Sequence, residues 1–272
     1  MTASYNIVIP ARLASERLPG KPLLEIAGRP LIEHVYRRAC AASAARVVIA
    51  TDADSIAERA RSFGAEVVMT SADHQSGSDR IAECVERLGW DSRTVIVNLQ
   101  GDEPLMPPAC LDQAAALLAA NPSSGPGSGP GADVASLWWP IREAGEVTDP
   151  NVVKVVTDQR GAALYFSRSV IPHPRGPGGV AAALESAIGA GAVWKRHIGL
   201  YAYRAAALQA FTEAGPGQLE QLEKLEQLRF LENGRGIVMA RAVEAIPAGV
   251  DTLDDLRRVR ALLENGGPAG KA

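Results

Sequence analysis

Along the first 121 residues, short β-branched runs alternate with stretches in which apolar residues recur every three or four positions. "YNIVIP" (5–10) predicts a strand and "RPLIEHVYRRACAA" a helix opened by a proline. "RVVIATD" predicts a second strand, and "DSIAERARSFG" a helix closed by Gly64. The rhythm continues through "EVVMT", the helical "SDRIAECVERLG", the fully apolar "TVIVNLQ" and a helix after "PPACLDQ". Apolar strands alternating with amphipathic helices predict an α/β fold, a mostly parallel sheet flanked by helices on both faces. Such sheets take ligands at the carboxyl ends of their strands. The loop after the first strand, "IATD" (49–52), residues 70–80 and "QGDEP" (100–104) fall at those ends.

Beyond residue 131 the pattern changes. "DVASLWWPI", "NVVKVV" and "AALYFSR" read as strands joined by turns, which predicts an inserted antiparallel element. In "KRHIGLYAY" the period of two puts His197, Gly199, Tyr201 and Tyr203 on one face. In "QLEQLEKLEQLRFLENG" leucines 219, 222, 225, 228 and 231 recur every three residues, so on a continuous helix they wind around the axis and need two covering surfaces. These are either a second copy of the chain or a second core surface. Glu226 falls on an apolar face of that helix and needs a partner, either a ligand hydroxyl or Arg229. "PSSGPGSGPG" (122–131) reads as a solvated loop without chemistry, and 175–192 is a second Gly-rich stretch.

Composition narrows the function classes. A chain of 272 residues, 47% apolar, can bury a sizeable core as one large domain or two small ones. With 28 Lys+Arg against 31 Asp+Glu, the net charge of −3 gives no global attraction to nucleic acid or a membrane, so any anion site is local. Cys40, Cys84 and Cys110 form no CxxC pattern, arguing against a disulfide framework or zinc site and for a reducing compartment. No run of about 18 apolar residues occurs, and "MTASYNIVIPAR" lacks the features of a secretory leader. The expectation is a soluble, cytoplasmic protein.

The candidate chemistry gathers at the predicted strand ends. "IPARLASERLPGK" (9–21) carries Arg12, Arg17 and Lys21 on a Gly/Pro-terminated loop, an arrangement suited to phosphate oxygens although GxxxxGK[ST] is absent. Asp102 follows an apolar strand directly, where a carboxylate suits magnesium, which fills its shell with substrate phosphates and water. In "GVDTLDDL", Thr252 and Asp255 read as a capping box, with Asp251 just outside the helix as either a helix-terminal charge or a ligand. Arg168 and His197 could together hold a carboxylate and hydroxyls. Neither a nucleophile triad, HExxH nor GxGxxG is present.

Taken in order, "IPARLASERLPGKPLLEIAG", "ADHQSGSDRIAE", "VNLQGDEP", "ALYFSRSVIP", "RHIGLYAYR", "LEKLEQLRFLENG" and "GVDTLDDLRRVR" closely resemble the 3-deoxy-manno-octulosonate cytidylyltransferases over essentially the whole chain. The resemblance implies a nucleotidyltransferase of glycosyltransferase-A-like fold that moves CMP from CTP to the anomeric hydroxyl of 3-deoxy-D-manno-octulosonate (KDO) for lipopolysaccharide assembly. It implies Mg2+ as cofactor on Asp102 and Asp251, Arg12 and Lys21 on the triphosphate, and Arg17 as a weaker partner there. Ser76, Arg80 and Gln100 match the cytidine pocket, and Arg168, His197, Tyr201, Glu226 and Gln227 the sugar-acid site. A homodimer is expected. So is a single domain (1–272), with a nucleotide-binding half over about 1–121 plus the C-terminal return and a sugar-binding and dimerisation half over about 133–236. Two features depart from the family pattern, the longer Gly-rich stretches and the paired tryptophans of "LWWP". Two rivals stay open, a cytidylyltransferase for a related acid, sialic or amino-substituted, and a silent nucleotide-binding protein on the same fold.

Overall fold

The computed structural model describes residues 4–14, 18–74, 76–122, 131–186 and 194–264. Its strands are β1 (Tyr5–Ala11), β2 (Glu25–Ile26), β3 (Arg29–Pro30), β4 (Arg46–Thr51), β5 (Glu66–Met69), β6 (Val95–Asn98), β7 (Val134–Pro140), β8 (Lys154–Thr157), β9 (Ala163–Ser167), β10 (Lys195–Arg204) and β11 (Ile237–Arg241). The helices are α1 (Leu31–Cys40), α2 (Asp54–Ser62), α3 (Gly77–Arg87), α4 (Pro108–Ala120), α5 (Ala144–Thr148), α6 (Gly179–Ser186), α7 (Ala205–Ala214), α8 (Gln218–Glu223), α9 (Leu228–Glu232) and α10 (Leu253–Glu264). The chain divides into two compact units, one of Met1–Ala116, Leu200–Thr212 and Val243–Ala272, the other of Leu117–Gly199 and Glu213–Ala242.

The first unit is the predicted parallel sheet. β1 pairs in parallel with β4 on one side and β6 on the other, β5 extends the sheet in parallel beyond β4, and Tyr201–Arg204 of β10 adds an antiparallel strand to β6. Ile7, Val8 and Ile9 of β1 are all fully buried, and successive side chains point to opposite faces, so both faces are covered. A satellite core of Leu18, Ile26, Leu31, Leu105, Val250, Leu256 and Val259 fastens the opening loop and the start of α10 to this unit.

In the second unit β7 and β11 run parallel, and β8 pairs antiparallel with β9 and with Lys195–Arg196 of β10. That is the expected antiparallel insertion. Lys154 is fully buried, with its ammonium donating to the carbonyls of Asp149, Val152 and Arg168 at 2.9, 2.6 and 2.6 Å. All three ammonium hydrogens are thereby used, and the nearby charges of Asp149 and Glu223 offset part of the burial that lowers its pKa. The Gly-rich stretch from 175 holds an unexpected helix, α6, whose Val180, Ala183 and Leu184 pack on buried Ile141, Val147 and Trp194. The "LWWP" tryptophans each carry a cation, Lys195 lying 4.8 Å from the Trp138 ring centre and Arg241 5.3 Å from that of Trp139. Most of the 122–131 loop lies outside the described residues.

The single leucine-rich helix is corrected. α8 ends at Glu223, capped by Lys224 whose φ of 55° is left-handed, and α9 begins only at Leu228. Because a period of three drifts around an α-helix, each short helix presents its leucines differently. Leu225 and Leu228 are buried, whereas Leu222 is 82% exposed.

Candidate functional site

β1 ends at Ala11 and hands the chain to an exposed Arg12. The loop returns through Gly20, whose φ of 66° is left-handed, into a 3-10 turn at Lys21–Leu23. Glycine enters that region without steric cost, and the proline after Lys21 fixes the start of the turn. This geometry aims Lys21 inward. Its Nζ lies 2.7 Å from Asp102 Oδ2 and 3.0 Å from Asp251 Oδ1. Three residues from three distant stretches of sequence therefore meet at one point beyond the carboxyl ends of β1 and β6. Burial opposes the charge on Lys21, yet the two carboxylates outweigh it and hold the ammonium pKa above its ordinary value.

Glu103, next to Asp102, is shielded, and burial together with the charges of Asp102 and Asp251 pushes its carboxyl up to about 8. Its Oε2 is buried with no hydrogen-bond partner. Among the described residues no group of three or more His, Cys, Asp or Glu side chains is placed to hold a metal ion by itself. Two carboxylates converging on one cation do fit magnesium, which binds through one or two carboxylates plus substrate phosphates.

The residues expected to meet cytidine lie around the start of α3 and the end of β6. Ser76 caps this helix, its Oγ accepting from Asp79 N at 3.1 Å and donating to Asp79 Oδ2 at 2.8 Å. A Cβ built on Gly77 would lie 3.5 Å from Pro10 and 3.8 Å from Gln100 Oε1, so the helix start, Gln100 and the end of β1 stand side by side. Arg80 is 3% exposed and donates to Asp52 Oδ2 at 2.9 Å, Thr70 Oγ1 at 2.5 Å and the Ser71 carbonyl at 3.3 Å. It ties the ends of β4 and β5 to α3. The loop before α3 is held by Glu83, which accepts from Ser71 N at 2.8 Å and contacts His74 Nε2 at 2.5 Å.

The second unit holds most of the expected sugar-acid residues. Arg168 Nε donates to the Glu223 carbonyl at 2.8 Å, Nη2 to the Lys224 carbonyl at 3.4 Å and Nη1 to the Pro150 carbonyl at 3.0 Å. It thus serves the carbonyls that α8 leaves open where Lys224 ends it. Gln227 is 5% exposed and its Nε2 is buried with no partner. His197 sits edge-on to Phe166 at 4.9 Å between ring centres, with Nε2 3.3 Å from Ser136 Oγ. Burial lowers its pKa to about 3, so the imidazole is neutral at physiological pH. Tyr201 belongs to the first unit, 8% exposed and stacked on Tyr203 at 5.6 Å.

Glu226 is corrected. It is exposed in the segment between α8 and α9, not set on an apolar helix face. The buried carboxylate is Glu220, which takes Arg229 Nε at 2.6 Å and Nη2 at 2.7 Å. The structure brings Lys21, Asp102 and Asp251 together and places Arg12, Ser76, Arg80 and Gln100 on the same unit; Arg17 lies outside the described residues. Sequence reasoning gave no part to Asp52 or Lys154. Asp52 ends "IATD", a strand-end motif that marks it, whereas nothing around Lys154 signals its three carbonyl partners.

Comparisons with known proteins identify the family of the chain. The cytidylyltransferase family model matches residues 6–239. A 3-deoxy-manno-octulosonate cytidylyltransferase of Pseudomonas syringae pv. syringae is 50% identical over 97% of this chain and all of its own length. One of Haemophilus influenzae is 48% identical over 96% of this chain and 98% of its own. The solved structure of a CMP:2-keto-3-deoxy-manno-octonic acid synthetase complexed with CTP is 39% identical, with a TM-score of 0.84 over 97% of this chain and 99% of that one. With half its residues shared end to end, this chain belongs to the cytidylyltransferase family and, within it, to the 3-deoxy-manno-octulosonate cytidylyltransferases.

Proposed function

We propose that this protein transfers CMP from CTP to the anomeric hydroxyl of KDO, releasing pyrophosphate, and so supplies an activated sugar for lipopolysaccharide assembly. The observation that carries this reading is the meeting of Lys21 with Asp102 and Asp251, one cation between two carboxylates at the ligand edge of a parallel sheet. In the reaction the bond from the sugar oxygen to the α-phosphorus forms as the bond to the pyrophosphate oxygen breaks, and the hydroxyl proton leaves to solvent. Asp102 and Asp251 would hold Mg2+, which when bound neutralises phosphate charge. Lys21 and Arg12 grip the triphosphate and meet the charge growing on the departing pyrophosphate, with Arg17 as a third cation. Gln100 and the Ser76–Arg80 turn of α3 hold the cytidine.

Arg168 and neutral His197 meet the carboxylate and hydroxyls of KDO, aided by Glu226 and Gln227 of the same unit. The unpartnered, buried Nε2 of Gln227 supports that reading, because such a donor is costly without an acceptor. Leu164 and Leu222, 61% and 82% exposed in the second unit, suit coverage by a second copy of the chain. The free cysteines suit the cytoplasm, and among the described residues no helix is long and apolar enough to cross a membrane.

The test is CTP-dependent pyrophosphate release with KDO, an amino-substituted octulosonate or a sialic acid as acceptor. Release with KDO and Mg2+, abolished by chelation, is expected. Preference for either other acid would reassign the substrate. Binding of CTP without release for any acceptor would leave a silent nucleotide-binding protein.

A further inference from the structure

We propose that Gly249 is a positioning residue for the carboxylate pair, its missing Cβ setting how closely Asp251 approaches Asp102. The inference rests on the reading of those two aspartates as the metal-binding pair. A Cβ built on Gly249 would lie 2.8 Å from the Asp102 carbonyl oxygen, 3.0 Å from Glu103 Oε1 and 3.1 Å from Glu103 Cδ. A contact of 2.8 Å to a backbone atom cannot be relieved by rotating a side chain, so one of the two segments has to move. Gly249 does not sit at a left-handed φ. The glycine is demanded here by space, not by backbone torsion.

What this contact controls is visible in the next two residues. Val250 N donates to the Asp102 carbonyl at 2.9 Å, and the Val250 side chain is fully buried among Leu18, Leu31 and Leu256. The main chain of Asp102 is thus the anchor for the segment that delivers Asp251, and Lys21 Nζ joins the two carboxylates in front of it. From behind, Arg258 Nη2 donates to the Ala248 and Gly249 carbonyls at 2.7 and 3.1 Å, and Asp255 Oδ2 accepts from Asp251 N at 3.2 Å and Thr252 N at 3.0 Å. The segment is clasped on both sides, so an added methyl group has to shift Asp251 away from Asp102. Carboxylates that must share one small cation tolerate little displacement, since Mg2+ ligands lie only about 2.0–2.1 Å from the ion.

The experiment titrates Mn2+ into the protein without nucleotide and counts free ion by electron paramagnetic resonance, a readout that a general loss of stability would not move in the folded fraction. Gly249→Ala is expected to weaken Mn2+ binding about tenfold or more. Gly145→Ala, at a glycine whose Cβ would meet nothing within 4 Å, leaves it unchanged. Arg258→Met, which loosens the clasp without inserting atoms, weakens it in the same direction by less. Wild-type affinity in Gly249→Ala, with Asp251→Asn impaired, overturns the positioning role and leaves the metal reading standing. Wild-type affinity in Asp251→Asn overturns both. If Gly249→Ala loses its near-UV circular dichroism, Arg258→Met decides, and an unchanged affinity there overturns the proposal.

Discussion

Arg80 and Asp52 form a shielded ion pair, Nη2 to Oδ2 at 2.9 Å, with the guanidinium 3% exposed. Removing one partner strands the other charge in a place from which water is largely excluded. Arg80→Met is therefore expected to cost about 3 kcal/mol of stability, near the lower end for breaking a buried pair, and to raise KM for CTP. Urea melts and CTP saturation curves check this. A loss of CTP affinity without any change in stability would make Arg80 a ligand contact alone.

If Asp102 and Asp251 hold Mg2+ as proposed, Asp102→Asn and Asp251→Asn should each lower turnover about a hundredfold or more, because each would remove charge from a phosphate-bridging cation. Neither is expected to lower the melting temperature much. The N-cap of α10 belongs to Thr252, whose Oγ1 accepts from Asp255 N at 3.2 Å while Asp255 Oδ2 accepts from Thr252 N at 3.0 Å. If Lys21 meets the departing pyrophosphate as proposed, Lys21→Ala should depress kcat more than it raises KM for CTP, since that charge is greatest in the transition state. Steady-state kinetics on the three variants, with thermal melts alongside, measures both effects.

The roles of Glu220 and Glu226 separate in a single pair of variants. Glu220→Gln should lower stability by about 3 kcal/mol, because it breaks the bidentate bond to Arg229, itself 5% exposed. Glu226→Gln, at an exposed position, should leave the melting temperature within a degree or two and raise KM for KDO, with CTP saturation unchanged. An unchanged KDO constant would remove Glu226 from the sugar site.

His197 makes stability depend on pH. Its pKa falls from 6.5 to about 3 on folding, so between those values the unfolded chain binds more protons and stability drops as pH falls. The contribution is fully present above about pH 6.5 and is exhausted near pH 3. Between pH 7 and pH 5 the loss should amount to about 1–2 kcal/mol, allowing for the ring being only partly sealed from solvent. Urea melts of wild type and His197→Phe at the two pH values test this. An equally steep slope in the variant would assign the loss to other groups.

The alternation of strand and helix over the first half was legible because parallel strands buried on both faces leave uninterrupted apolar runs such as "YNIVIP" and "TVIVNLQ". Lys21 and Asp102 were legible because both follow such a run at the edge where parallel sheets take ligands. The break at Lys224 was not, because a left-handed lysine leaves no mark in composition and leucines spaced by three fit one helix or two. The partner of Arg229 was missed for a related reason. Glu220 lies nine residues away, beyond the reach of any i to i+4 rule, and only the turn between α8 and α9 brings it back. The distance between Asp102 and Asp251 was equally hidden, since the carbonyl contact at Gly249 involves no side chain.

The knot around Lys154 also gives the molecule a built-in reporter of opening. An acylating reagent must reach the amine nitrogen, and this one is fully buried with its hydrogens directed at the Asp149, Val152 and Arg168 carbonyls, out of the reagent's reach although burial lowers its pKa. Lys224, on the exposed end of α8, reacts from the folded state. Acylation of Lys154 instead counts only those molecules in which β8 has parted from its surroundings, so the ratio of the two labelled peptides reads the opening equilibrium of the second unit directly, with no fluorophore or engineered thiol.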